Sequence, residues 1–431
     1  MTASSLLNNK NWTDGKVFRT QRQRIVCLVV GLLLVCIVVG AAVGGTLASK
    51  RARTTAGDGD SSPATSSPSV TPSAGPTTPP PKSIKQNSSL AVTAWRKING
   101  VEIYLFFQGP DNVVYRSTFD SASGPSTDNS SSLWQPPTAA TTQAAPTSPL
   151  GATTIVHDKQ FQPQIQLYHI SANNHITGTN FNQQSQPTVQ VDDVNTFNLV
   201  SHPSSRIACY WPYVIYQDAN DNYVELRITL DEGGTLAPEP GGNARNLRVV
   251  GAEGSRIAVV PLSTLFSTTA RSGGYGIIGQ ASGGNLVALI PDEKQTANVT
   301  RSWSGGPNFP TINLPLGASF AAFATAHPND ANNRTDTYVL YQAADGGIEV
   351  VWRDDESDWK TARPAALADA DVGTDIACVT MPESMSTATG AVLLLEQASA
   401  ETRCYFQRGG AVREVRLDRD GWVDVGSVPL P

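Results

Sequence analysis

Hydrophobic and polar positions divide this chain into two regimes. Residues Ile25 to Leu47 form twenty-three consecutive positions without a charge, bracketed by Arg22 and Arg24 before and by Lys50, Arg51 and Arg53 after. At about 1.5 Å of rise per residue such a run, wound as a helix, crosses a hydrocarbon core of roughly 30 Å. The pattern predicts one transmembrane helix over 25–47. Beyond it helical periodicity is nearly absent. Short alternating or β-branched runs, broken by Gly, Asn, Asp and Pro, predict strands and tight turns instead, so the rest of the chain is expected to be all β.

Within that β region one unit recurs: aromatic or apolar residues, often a Gln, a polar turn and a second strand. The clearest copies are Tyr216 to Glu225, Tyr341 to Glu349 and Phe406 to Glu414. Phe107-Gln108 before Val113, Tyr168-His169 before Ile176, and Gly279-Gln280 before Val287 complete the set. Each follows an apolar strand, at Leu90 to Trp95, Ala152 to Val156, Ile207 to Trp211, Arg256 to Val260, Ser319 to Ala324 and Asp375 to Thr380. Units of this kind recurring about every fifty to sixty residues match a four-stranded propeller blade with decorated loops. A jelly roll or a pair of sandwiches does not predict the same hairpin six times.

Charge and composition place this region on the far side of a membrane. Lys10, Lys16, Arg19, Arg22 and Arg24 outnumber the basic residues after the helix, which predicts a cytosolic N-terminus. A cleaved signal peptide is the competing reading, but the tail before Ile25 is long and the apolar run exceeds an ordinary h-region. Gly40 and Gly44 form a GxxxG pair, a candidate helix-pairing motif. Thr54 to Pro81 is almost entirely Ser, Thr, Pro, Gly and Ala, too poor in apolar surface to offset ordering entropy. The expected organisation is a cytosolic tail over 1–24, the helix over 25–47, a Ser/Thr/Pro-rich stalk over 48–87 and a propeller over 88–431. Asn87, Asn129, Asn298 and Asn333 open N-x-Ser/Thr sequons beyond the helix and are expected to be glycosylated. The formal net charge is −6, with no basic cluster outside the membrane flanks, which argues against nucleic acid as a partner. Cys209, Cys378 and Cys404 fall in the β region, where one bonded pair and one thiol is the simplest arrangement. Nearness in the last unit favours Cys378 with Cys404, against three buried thiols.

The recurring hairpin, with Trp near the end of several units (Trp134, Trp303, Trp359, Trp422), resembles the fungal fucose-specific lectin family. The resemblance covers about Leu90 to Leu430 and implies a six-bladed β-propeller with sugar sites between neighbouring blades. It further implies an Arg before the aromatic-Gln segment, a Glu in the next strand and an aromatic cover. Such groups suit fucose, whose vicinal hydroxyls meet a charged donor and acceptor while its methyl face meets a ring. Only the sixth unit keeps both charges, Arg403 and Glu414, with Trp422 or a neighbouring-blade ring as cover. The third keeps Glu225 but has Tyr213 at the Arg position, and the fifth likewise sets Glu349 against Tyr338. The first has Tyr104 and Arg116, and the second and fourth have neither charge. Loss of the guanidinium fork weakens or alters those sites. Arg403 with Glu414 also reads as a plain cross-strand ion pair, and Trp359 and Trp422 as blade-packing rings.

Other motifs fail on context. Gly274 to Gly279 spells GxGxxG without a following helix, so it reads as a Gly-rich hairpin. Asp218, Asn220 and Asn222 start like a calcium loop, but Tyr223 stands where Gly is required. Asp354, Asp355, Glu356 and Asp358 form an acidic loop in which nothing sets a proton donor beside a nucleophile. The scattered His residues and the lack of a GxSxG elbow support neither zinc nor serine chemistry. The chain therefore reads as a membrane-anchored binder of fucosylated or related glycans, without cofactor or catalysis. A propeller that serves as an extracellular interaction scaffold is the alternative.

Overall fold

A computed structural model describes residues 83–430 apart from 98–99, 122–132, 156–163, 183–189, 231–235, 239–243, 271–272, 292–296, 300–308, 355–357, 382–383, 386–391, 394 and 396–400. The expected tail, membrane helix, most of the stalk and the Asn129 sequon lie outside the described residues. Among the described residues no helix is long and apolar enough to cross a membrane.

Six antiparallel sheets succeed one another along the chain. Blade 1 spans residues 90–141, blade 2 150–191, blade 3 208–250, blade 4 257–299, blade 5 320–362 and blade 6 376–427. In each blade the first strand is innermost and later strands follow outward, with two local elaborations. The third strand of blade 3, Asn222–Leu230, pairs with both Leu236–Pro238 and Arg245–Val250, and blade 6 carries an inserted hairpin at Ser384–Met385 and Val392–Leu393. Successive inner strands contact one another, the sixth returns to the first, and together they line a central channel. The expected six-bladed all-β propeller is therefore what the chain forms.

Stacking blades around a ring buries both faces of a strand, which explains why the second strands read as near-continuous apolar runs. In Gly100–Gln108 the side chains of Ile103, Leu105 and Phe107 join one core cluster. Tyr104 and Phe106, on the opposite face, pack against Ala152, Ile165, Leu167 and Phe181 of blade 2. Only the rim relaxes this demand, and the outermost strand Gly421–Ser427 is largely exposed. Blade 4 meets blade 3 at a tighter tolerance. A Cβ on Gly279 would lie 2.2 Å from the Tyr223 hydroxyl, so the GxGxxG segment is a packing strand, Tyr275–Gln280, cut to admit a tyrosine.

The recurring Gln is a clasp between blades. Gln280 donates to the Gly284 carbonyl of its own hairpin and to Leu314 and Pro315 ahead of blade 5, and accepts from the Gly317 N–H. Gln342 repeats this with Gly346, Asp371 and Gly373, and Gln108 with Asn112, Ala145 and Thr147. Gln217 reaches Ala252, and Gln407 reaches the Lys85 carbonyl, so the clasp that links consecutive blades also joins the last to the first. Buried Ile84 and clasped Lys85 thereby belong to the propeller, which begins about four residues before the expected boundary at 88. In blade 2 the register pairs Ile170 with Ile176, so Ile170, and not the expected His169, holds the Gln position. Cys378 and Cys404 face each other across the first two strands of blade 6 and form a disulfide, while Cys209 is a free thiol.

Candidate functional site

Strand pairing decides which residues of each hairpin can meet at a blade junction. In blade 6 Gln407 pairs with Val412 and Tyr405 with Glu414, so Arg403, Tyr405 and Glu414 share one face. The Arg403 guanidinium lies 2.5 Å from Glu414 Oε1, and the Tyr405 hydroxyl donates to that oxygen at 3.1 Å. Glu414 Oε2 accepts the Trp134 indole N–H at 3.0 Å. Trp134 belongs to blade 1, and Phe119 of the same blade lies under the guanidinium with its ring centre 4.3 Å away. Arg403 and Glu414 are 7% and 3% exposed, a burial that a carboxylate tolerates only because three donors replace its water. Burial, followed by the Glu414 charge, pushes the Tyr405 hydroxyl well above its ordinary pKa, so it remains a donor.

The cover over this pair comes from the next blade. Trp134 meets Tyr405 edge-on at 5.9 Å and Phe119 at 5.5 Å. Trp422, in the outer strand of blade 6, instead meets Phe323 of blade 5 at 6.1 Å, beside the stack of Phe323 on Tyr338. Trp359 of blade 5 packs on Phe309 at 5.0 Å, ahead of its own blade. Each of these end-of-unit tryptophans thus faces the preceding junction, which sets Trp422 and Trp359 away from Arg403. Trp134 was visible in the sequence as one of the set, but only ring closure brings residue 134 to residue 414.

The remaining junctions carry other chemistry at the same positions. In blade 3 Glu225 pairs with Ile215 and so matches Glu414 in register. Its cation is Arg245 from the outer strand, at 2.9 Å, and the Tyr275 hydroxyl of blade 4 donates to it. Tyr213, in place of the Arg, stacks on Tyr275 at 3.8 Å and fills the junction. In blade 5 Leu340 pairs with Val350 and Tyr341 with Glu349, which sets Glu349 one residue out of phase and on the opposite face. There it accepts from the Tyr341 hydroxyl at 2.6 Å and pairs with the exposed Arg363. Blade 1 presents Arg116 over Phe181 at 4.8 Å, blade 2 a buried Gln166 to Asp192 bond at 2.7 Å, and blade 4 only Gly276 and Ala288. Among the described residues no cluster of His, Cys, Asp or Glu is built to hold a metal ion.

No protein-family model and no curated protein matches this chain. Solved structures do. The fucose-specific lectin of Aleuria aurantia is 15% identical, covers 81% of this chain and 98% of its own, and superposes with a TM-score of 0.57. AofleA of Arthrobotrys oligospora is 14% identical over 81% of this chain and 88% of its own, with a TM-score of 0.57. The SapL1 lectin, solved with α-methyl fucoside, is 15% identical over 81% of this chain and 98% of its own, with a TM-score of 0.52. The fold is the six-bladed propeller of fucose-specific fungal lectins.

Proposed function

We propose that this protein is a membrane-anchored, carbohydrate-binding propeller whose fucose recognition rests on the junction of blades 6 and 1. The observation that carries this reading is the set of Arg403, Glu414 and Tyr405 on one blade, with Trp134 and Phe119 from the next. It combines a charged donor, a carboxylate acceptor and aromatic faces, the groups that vicinal hydroxyls and a C–H face require. Of the lectins that share the fold, that of Aleuria aurantia is fucose-specific and is solved with Fucα1-6GlcNAc. Entry of a sugar must replace part of the contacts that Glu414 makes with Arg403, Tyr405 and Trp134, so intrinsic affinity is weak. The other junctions lack the paired charges in this arrangement, and avidity is correspondingly small.

Titration calorimetry of residues 83–431 with α-methyl fucoside tests the site. Arg403→Ala is expected to lose on the order of 1.5–3 kcal/mol of binding free energy, because sugar oxygens would be left without a charged partner. Trp422→Ala, at the other junction, is expected to leave affinity unchanged. No binding by the wild-type domain would favour the scaffold reading, which the near-complete burial of the Arg403–Glu414 pair supports. Anchoring by 25–47 with the propeller lumenal or extracellular is part of the proposal. It predicts glycosidase-sensitive mass and protection of the propeller from protease in sealed, cytosol-facing vesicles. Asn87 is exposed at a turn, as an attached glycan requires.

A further inference from the structure

The inner strands enter the channel at one mouth, and the residue before each entry forms a ring. In four blades a hydroxyl fixes the frame by accepting the N–H at the clasp position: Ser88 from Gln108, Ser148 from Ile170, Ser205 from Gln217 and Thr374 from Gln407. The next residues are Ser89, Pro149, Arg206 and Asp375, and the same spacing adds Arg256 after Ser255 and Ser319 before Phe320. Two guanidiniums and one carboxylate therefore share a single rim.

Asp375 is heavily engaged. Its Oδ2 accepts from Ser89 Oγ at 3.1 Å, from the Leu90 N–H at 2.7 Å and from Arg256, and its Oδ1 from the Ile376 N–H at 2.7 Å. These bonds tie blade 6 to blades 1 and 4 and commit the carboxylate chiefly to Arg256, so that one acid serves two cations. Arg206 is half-buried, and among the described residues its Nε reaches the Gly254 carbonyl, at 3.4 Å, two residues before Arg256. Repulsion from Arg256, then burial, lowers the Arg206 guanidinium to about 10, against a smaller opposing pull from Asp375. Nearby Glu253 is mostly exposed and lies 3.8 Å from His202.

We propose that Arg206 and Arg256 form a binding site for a small oxyanion at the channel mouth, separate from the blade 6 to blade 1 junction. Planar guanidinium forks fit sulfate, phosphate or carboxylate oxygens in pairs, and a bound anion offsets the charge of two cations that share one acid. The ligand is either a free inorganic oxyanion or the carboxylate of an acidic sugar, since both offer the same oxygens.

The test is thermal denaturation and calorimetry of residues 83–431 with sodium sulfate, sodium phosphate and methyl glucuronide, against sodium chloride of equal ionic strength and methyl glucoside. Sulfate or phosphate is expected to raise the midpoint beyond chloride, and Arg206→Gln to weaken that binding at least tenfold. Arg206→Lys should fall between the two, and Arg403→Ala should leave oxyanion binding unchanged. Glucuronide bound at least tenfold more tightly than glucoside assigns the site to acidic sugars, whereas a response to sulfate alone assigns it to free anions. In low-salt buffer without oxyanion, Arg206→Gln should melt above wild type, because the repulsion is gone and little salt screens it. Equal responses to sulfate and chloride with no gain from the glucuronide, or wild-type affinity in Arg206→Gln, overturns the proposal.

Discussion

His169 shows how a single side chain can be set by position and still be at odds with its surroundings. It stands one residue before the clasp position, where four of the other blades carry Phe107, Tyr216, Tyr341 and Phe406 and blade 4 carries Gly279, and neither ring nitrogen has a partner among the described residues. Burial lowers its pKa to about 4, below the value near 6.5 of an unfolded chain. Between those values the unfolded chain binds the extra proton, so stability is full above about pH 6.5 and falls as the pH drops toward 4, by on the order of 3 kcal/mol. Denaturant titrations across that window should show the loss in wild type and its absence in His169→Phe, which keeps the aromatic volume. An identical acid slope in the two proteins would remove His169 from the account. Phase matters as much as identity at this scale. Glu349 and Glu225 occupy similar places in the written repeat, yet one residue of register puts Glu349 on the opposite sheet face.

At the scale of the element, the hairpin with its Gln is legible in the sequence, but the work of the Gln is not. The amide side chain serves its own turn and the chain entering the next blade, and that second partner lies about thirty residues away in Gln342, at Asp371 and Gly373. Gln342→Leu keeps the volume and strands these backbone groups, so it should cost about 2 kcal/mol, because buried polar groups lose their partners. Urea denaturation measures this directly, and a cost under a few tenths would mean that water replaces the clasp. The outer strands explain why site geometry was harder to read than the hairpins. Arg245 reaches Glu225 from a strand that pairs across twenty positions of chain, with no motif marking it.

For the whole molecule the decisive feature is closure. Gln407 holds Lys85, Asp375 holds Ser89 and Leu90, and Trp134 caps Glu414, so the seam between blades 6 and 1 is built by residues at the two ends of the domain. A fragment that starts at residue 88 lacks buried Ile84 and the Lys85 clasp. It should be less stable than one starting at 83 by at least about 2 kcal/mol, from lost apolar burial and two backbone bonds. Equal melting of the two fragments would show that the segment adds nothing to closure.

The sequence alone determined the all-β class, the number of repeats, the apolar strands and the presence of both Arg403 and Glu414 in unit six. These follow from local pattern, because turn residues, β-branched runs and a repeated aromatic-Gln pair report on nearest neighbours along the chain. It also supplies the 25–47 apolar run, whose proposed membrane role rests on length and flanking charge. Tertiary structure decided which face each charge occupies, which tryptophan covers which junction, and that Arg206 and Arg256 stand at one mouth of the channel. Those are contacts between residues up to about three hundred positions apart, as in Trp134 with Glu414. No periodicity within one blade encodes them, since they exist only once six blades close into a ring and set the last against the first.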